Sequence, residues 1–199
     1  MIEVTVETNA ATVAVQYGDA SKLTASVIVK ALRDIGLYLQ RHLVTKELNT
    51  GGMLEPRTRN LARSVFYRLE LAGRDALVRV GFDLKKAKYA RLLLLGGTVV
   101  PKTAQFLTIP LTAAKTASGV TRFRARDVIA APERFGYTGT FFAKRVLFGR
   151  RGQEIVPLFA LKSSVRIPAH PVLTSALDDS LGFIAARMGV AAQEIARSV

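Results

Sequence analysis

Two histidines, His42 and His170, and no cysteine are what this 199-residue chain offers for nucleophilic, acid–base or metal chemistry. The absence of cysteine excludes a thiolate nucleophile and any disulfide framework, and a Ser-His-Asp triad would have to use one of those two imidazoles as its base. Zinc would have to be held by the histidines and carboxylates. Each histidine also has a plainer reading. His42 falls on the buried edge of a long amphipathic helix, and His170, between Ala169 and Pro171, stands at a helix entrance. Asp178 and Asp179 make an acidic pair, but adjacent helical residues diverge by about 100° and do not face one site, so a solvated helix face is expected. Gly149-Arg150-Arg151-Gly152 could cradle a phosphate, yet it lacks the preceding strand and the lysine and hydroxyl of a phosphate loop and reads as a hairpin turn. No catalytic, cofactor-binding or metal-binding residue is expected, and no cofactor, although carboxylates from distant segments can still converge.

Charge is the stronger signal. Lys and Arg number 29 against 15 acidic residues, a formal net charge of +14, so an acidic partner is expected: nucleic acid, an anionic surface or an acidic protein face. Much of the excess lies between Arg122 and Arg151, where Arg122, Arg124, Arg126, Arg134, Lys144, Arg145, Arg150 and Arg151 face only Asp127 and Glu133. Phe123, Phe135, Tyr137, Phe141, Phe142 and Phe148 are interleaved with them. Such a mixture can contact phosphates while aromatics stack on bases, but packing of the rings on the domain or on a neighbouring subunit is favoured over stacking.

The elements that must position these residues follow from periodicity. Ile2, Val4 and Val6 alternate with polar residues, and Val13, Val15 and Tyr17 repeat the period of two after a turn near Asn9, which predicts a hairpin. The alternation is unlike a signal peptide. After Gly18-Asp19-Ala20-Ser21, apolar residues at spacings of three and four from Leu23 to Leu43 predict a helix from about Ser21 to Glu47, closed by Asn49-Thr50-Gly51-Gly52. Beyond a loop at Pro56, a short helical turn over Arg57–Ser64 leads into a strand with Val65, Tyr67, Leu69 and Leu71. Gly73-Arg74-Asp75 turns the chain into a second strand with Leu77, Val78 and Val80, and Gly81 reads as a bulge or bend in an emerging meander.

Tyr89–Leu95 reads as a short helix closed by Gly96-Gly97-Thr98, and the longest apolar run, Leu92–Leu95, is far below the roughly 20 residues that span a bilayer. A soluble protein with no membrane partner is expected. From about 99 to 165 the chain reads as a long basic loop insertion with extended pieces such as Phe106–Ile109. It returns through Ile155–Leu161 and Val165–Pro168 to a final helix carrying Leu173, Leu177, Leu181, Ile184, Met188 and Ile195. The expected fold class is α+β: one domain over 1–199, a long N-terminal helix packed on an antiparallel β-sheet, the insertion, and a C-terminal helix.

Four features in order resemble the tail-completion family of tailed bacteriophages, also described as head-tail joining, neck or tail-terminator proteins. They are the long helix, Thr58-Arg59-Asn60-Leu61-Ala62-Arg63-Ser64 before a strand pair, Tyr89-Ala90 followed by Gly96-Gly97-Thr98, and Pro168-Ala169-His170-Pro171-Val172-Leu173 opening the last helix. The first motif departs from the family's Thr-Gly-x-Leu-x-x-Ser at Arg59, and His170 stands where an arginine is usual. The resemblance implies a structural virion protein, not an enzyme, made in the host cytoplasm and located in the neck. It would form a ring of copies of itself, expected as a hexamer, that completes or terminates the tail tube and docks on the head connector or stopper protein. Arg122, Arg124, Arg126, Arg134, Phe141, Phe142, Lys144, Arg145, Arg150 and Arg151 become candidates for the ring interface or for non-specific contact with packaged DNA. The rival readings are a basic nucleic-acid-binding module, which lacks a recognition helix, zinc finger or RNA-binding signature, and an enzyme of unknown type.

Overall fold

The computed structural model describes residues 2–6, 10–16, 22–49, 52–54, 59–72 and 75–197. The turn at Asn9, the helix start at Gly18–Ser21, Thr50 and Gly51, the loop at Pro56 and the turn at Gly73–Arg74 lie outside them. The architecture is mixed α+β with antiparallel sheets and divides into two compact units. One comprises 1–96 with 168–199, and the other 97–167.

In the first unit, β1 (Ile2–Val6) pairs antiparallel with β2 (Ala10–Gln16), as the period of two predicts. Helix α1 (Lys22–His42) continues as a π-helical turn over Leu43–Glu47, which together match the predicted helix closely at its C-terminal end. A short helix α2 (Asn60–Arg63) precedes β3 (Val65–Ala72), which pairs along its whole length with β4 (Asp75–Phe82). Strand order is β1-β2-β4-β3, two hairpins joined through β2 and β4, and not a meander. The reason is connectivity: the long helix carries the chain from β2 to β3, and β4 then takes the place beside β2. Gly81 corrects another expectation, because the register runs unbroken from Ala72 opposite Asp75 to Val65 opposite Phe82. Gly81 is a buried, regularly paired residue flanked by Val80 and Phe82, both fully buried, and it makes no bulge.

Alternate β-residues Val13, Val15, Ala76, Val78 and Val80 share a core with Ile28, Leu32, Ile35, Leu39 and Leu43 of α1. Gly36 sets how close helix and sheet come. A Cβ there would lie 2.6 Å from Cγ2 of Val78 and 3.0 Å from Cδ2 of Tyr67, so α1 rests directly on β3 and β4 at this point. Helix α3 (Ala90–Leu95) follows, ended by Gly96 at φ 68°.

The second unit opens with β5 (Gly97–Val99) and β6 (Leu107–Pro110), then helix α4 (Ala125–Ala130), flanked by 3-10 turns at Thr112–Ala114 and Pro132–Phe135. Strands β7 (Gly139–Ala143), β8 (Val146–Arg151) and β9 (Glu154–Lys162) complete a four-stranded sheet in the order β6-β9-β8-β7, and β10 (Val165–Ile167) pairs with β5. The segment expected as a loop therefore folds around its own core of Ala114, Ala125, Val128, Tyr137, Leu147, Leu158 and Phe159. A bulge lies here instead, at the register shift between Leu147 and Phe148, opposite Pro157–Phe159. It turns the consecutive residues Leu158 and Phe159 to the same buried face, just after a proline that has no N–H to give to a ladder.

The chain re-enters the first unit at Pro168. His170 N donates to O of Leu93 at 2.9 Å, and α5 (Val172–Arg197) then buries Leu173, Ala176, Leu177 and Ile184 in the first core. Arg187 Nε reaches Oδ2 of Asp34 on α1 at 2.7 Å. Among the described residues, no helix is long and apolar enough to cross a membrane.

Because Gly36 is pressed against Val78 and Tyr67, Gly36→Val is expected to destabilise the first unit by overpacking, by about 1–3 kcal/mol in urea unfolding. Gly182→Val, on an open stretch of α5 with nothing near its Cβ position, is the control that should cost less.

Candidate functional site

All ten residues predicted to meet a partner lie in the second unit, but they divide between two of its surfaces. One face of the β6-β9-β8-β7 sheet is the core face, covered by α4 and the 3-10 turns. Arg122, Arg124, Arg126 and Arg134 stand exposed on that covering layer, and Arg126 pairs with the adjacent Asp127 at 3.4 Å. Arg151 belongs to this side too, its guanidinium 5.2 Å from the ring centre of Tyr137 and its Nε donating to O of Gly136 at 3.4 Å.

The opposite face carries no helix of the unit. Cross-strand pairs place Phe141 beside Phe148, and their rings stack at 5.4 Å with planes 16° apart. The guanidinium of Arg150 lies 6.0 Å from the Phe141 centroid, and its cross-strand partner on the other side is Ile155, which is 53% exposed. Val146, Ala160 and Ile109 continue the apolar surface across β8, β9 and β6. Phe142, on edge strand β7, faces the other way in register with Leu147 and is 58% exposed. Of the six interleaved aromatics, Phe123, Phe135 and Tyr137 pack into the second core, where Phe123 lies 4.8 Å from Phe135 and 6.0 Å from Phe159. Packing thus takes half the set, and Phe141, Phe148 and Phe142 remain at the surface.

Gly149 is not part of a turn. It sits inside β8, where a Cβ would lie 2.6 Å from Cδ1 of Tyr137 and 2.9 Å from Cδ1 of Leu158. The hairpin turn is made by Gly152, at φ 59°, with Gln153. At the other end of β8, Lys144 and Arg145 form the two-residue turn with φ 46° and 61°. Left-handed backbone at both central positions of a two-residue hairpin is the type I′ geometry, which asparagine and glycine adopt readily and long side chains do not. Two cations are therefore held at the tip of the hairpin at a cost in backbone energy.

Twelve lysines and arginines against three acids lie between Gly97 and Ile167, so nine of the fourteen surplus positive charges are in this one unit. Eleven of the twelve are exposed; Lys115 is half-buried.

The first unit holds a grouping that sequence reasoning did not assemble. His42 at the end of α1, Glu47 at the end of the π turn and Asp179 on α5 each bring one donor atom within 4.8 Å of the others. Asp179 is indeed solvated, as expected of the Asp178-Asp179 pair, but it is turned towards His42 and Asp178 is not part of the group. Only the convergence of distant segments reveals it, since Glu47 and its neighbour Ser175 are 128 positions apart.

The chain was compared with models of known protein families, with curated proteins and with solved structures, and matches none of them.

Replacing Lys144-Arg145 by Asn-Gly should relieve the left-handed strain and raise the stability of the second unit by about 1–3 kcal/mol, read from the shift of its thermal unfolding. An unchanged or lowered midpoint would show that the two cations are not strained there.

Proposed function

We propose that this chain is a structural protein of the neck of a tailed bacteriophage, a tail-completion or tail-terminator subunit that forms a ring with copies of itself, completes the tail tube and docks on the head connector. It turns over no substrate. The observation that carries the reading is Arg59. The chain departs from the family's glycine at that position, yet Arg59 has φ 57° and ψ 6°, the left-handed backbone that a glycine is used for. Ser64, the last residue of the same motif, is buried, and its Oγ donates to O of Leu61 at 2.6 Å, which closes the turn before β3.

Assembly also needs a surface that is unsatisfied within the subunit. The face of the second sheet bearing Phe141, Phe148 and Ile155, with Arg150 among them and Lys144-Arg145 at the hairpin tip, has the apolar centre and charged rim of an interface. A heterologous contact of this kind closes into a ring when the rotation between neighbours permits.

One specific observation favours a second reading, in which the same face binds nucleic acid. A stacked aromatic pair beside an arginine, in a unit with few acids, suits bases and phosphates.

Light scattering on the purified chain, alone and mixed with tail-tube protein across a salt series, separates the two. A discrete ring, free or formed on the tube, is expected. A monomer under all conditions that shifts only on adding DNA would replace the neck reading by the nucleic-acid one. Phe141→Ser with Arg150→Glu, both on the sheet face that carries no helix of the unit, should keep the fold and weaken tube binding by at least about tenfold, a loss of about 1.4 kcal/mol. Arg59→Gly should retain assembly and gain stability, since glycine carries no side-chain penalty at that backbone conformation.

A further inference from the structure

We infer that His42, Glu47 and Asp179 form a binding site for a divalent first-row transition cation of the zinc class, which staples the end of α1 to α5. The inference is independent of the neck reading, since none of the three residues is among those that carry it.

The distances fit an ion better than they fit a set of ion pairs. His42 Nε2 and Asp179 Oδ2 are 3.4 Å apart, yet Nε2 is buried and has no hydrogen-bond partner, because the two atoms are not aligned for one. A tetrahedral ion with bonds of about 2.0–2.1 Å to nitrogen and oxygen separates its ligands by about 3.4 Å. The third donor, on Glu47, lies within 4.8 Å of the other two, and binding an ion would require its carboxylate to close the remaining gap to that spacing.

Glu47 makes the strongest demand for a cation. It is 6% exposed, and among the described residues no Lys, Arg or His nitrogen lies within 4.0 Å of its carboxylate. Its hydrogen-bond partner is a neutral hydroxyl, Ser175 Oγ, which donates to Oε1 at 2.9 Å. A buried carboxylate without a countercharge is expensive, and a divalent ion would supply that charge. Ser175 would then hold the carboxylate in place, as outer hydrogen bonds do for metal ligands.

The local backbone is built for this convergence. In an α-helix, residue i+5 lies about 140° round the axis from residue i, which would turn Glu47 away from His42. The π turn, closed by Leu48 N to O of Leu43 at 3.0 Å, adds a residue to that turn and brings Glu47 round to the His42 side. Gly52 packs so tightly beneath it that a Cβ would collide with the carbonyl oxygen of Lys46, and Leu54 N caps O of Glu47 at 3.0 Å. Tyr38 stacks on Phe183 at 3.9 Å and lies 6.0 Å from the His42 ring, an aromatic wall linking the same two helices.

One imidazole and two carboxylates select against magnesium and calcium, which prefer oxygen alone, and favour zinc or its first-row neighbours. Three protein ligands leave a coordination position for water, on the side where the Asp179 side chain is 62% exposed.

The test is calorimetric titration of the full chain, stripped with chelator, with ZnCl2 and separately with MgCl2, with thermal unfolding followed in parallel. One zinc per chain and a raised unfolding midpoint are expected, with no comparable effect of magnesium. Asp179→Asn alters an exposed side chain and should unfold like the parent without metal. Its zinc affinity should fall by at least the about 10- to 100-fold that losing even an outer partner costs. His42→Gln should lose binding likewise. Absence of stoichiometric zinc binding, equal response to magnesium, or one-to-one zinc binding that Asp179→Asn leaves intact would each overturn the site.

Discussion

Helix α1 carries apolar residues over too wide an arc for one layer to cover. Ile28, Leu32, Ile35 and Leu39 share the core with β2 and β4, while Val27 and Ala31 on another flank pack against Ala191 of α5. The sheet alone would leave that second flank in water, so α5 is needed as a further layer, and much of the first unit follows. Gly36 lets the helix settle on the sheet, and Asp34 with Arg187 fixes the helices at 2.7 Å. The end of α1 meets α5 again at His42 and Asp179, so the cation site proposed there would reinforce an interface that burial already demands.

The elements readable from the sequence were those whose pattern is local. Alternation at Val13 and Val15, and the three- and four-residue spacing from Val27 to Leu43, need no tertiary partner to be recognised, and strand and helix formed where expected. Tyr89–Leu95 was a short apolar run that periodicity could not assign, and it became α3 from Ala90. The second sheet was hidden for a physical reason. Its edge strands β6 and β7 are short, one face is apolar without a helix of the unit upon it, and in β9 Leu158 and Phe159 point the same way across a bulge, so the period of two is broken where it would have been most telling. Gly81 misled in the opposite direction: a glycine within a strand is as compatible with regular pairing beside buried neighbours as with a bulge.

The candidate site was legible in composition and not in arrangement. Counting charges found the basic segment, but which side of a sheet Arg150 and Arg151 occupy depends on register, and they proved to lie on opposite faces. The three described non-glycine residues with positive φ, Arg59, Lys144 and Arg145, are all basic. Such strain leaves no mark on periodicity. His42, Glu47 and Asp179 were individually visible, and dull, because an extra residue in one turn and a helix from far along the chain were needed to bring them together.

The pairing of Gly97 with Ile167 places the two ends of the second unit side by side on neighbouring strands. That unit is one contiguous stretch, whereas the first draws its last layer from residues beyond it. During synthesis on the ribosome, the basic unit can therefore be finished while α5 is still to come, and the flank of α1 at Val27 and Ala31 stays uncovered until then. The nascent chain therefore carries a completed cationic module while its other unit is still unfinished, so it is the arrival of α5, and not the folding of the inserted sheet, that completes the fold.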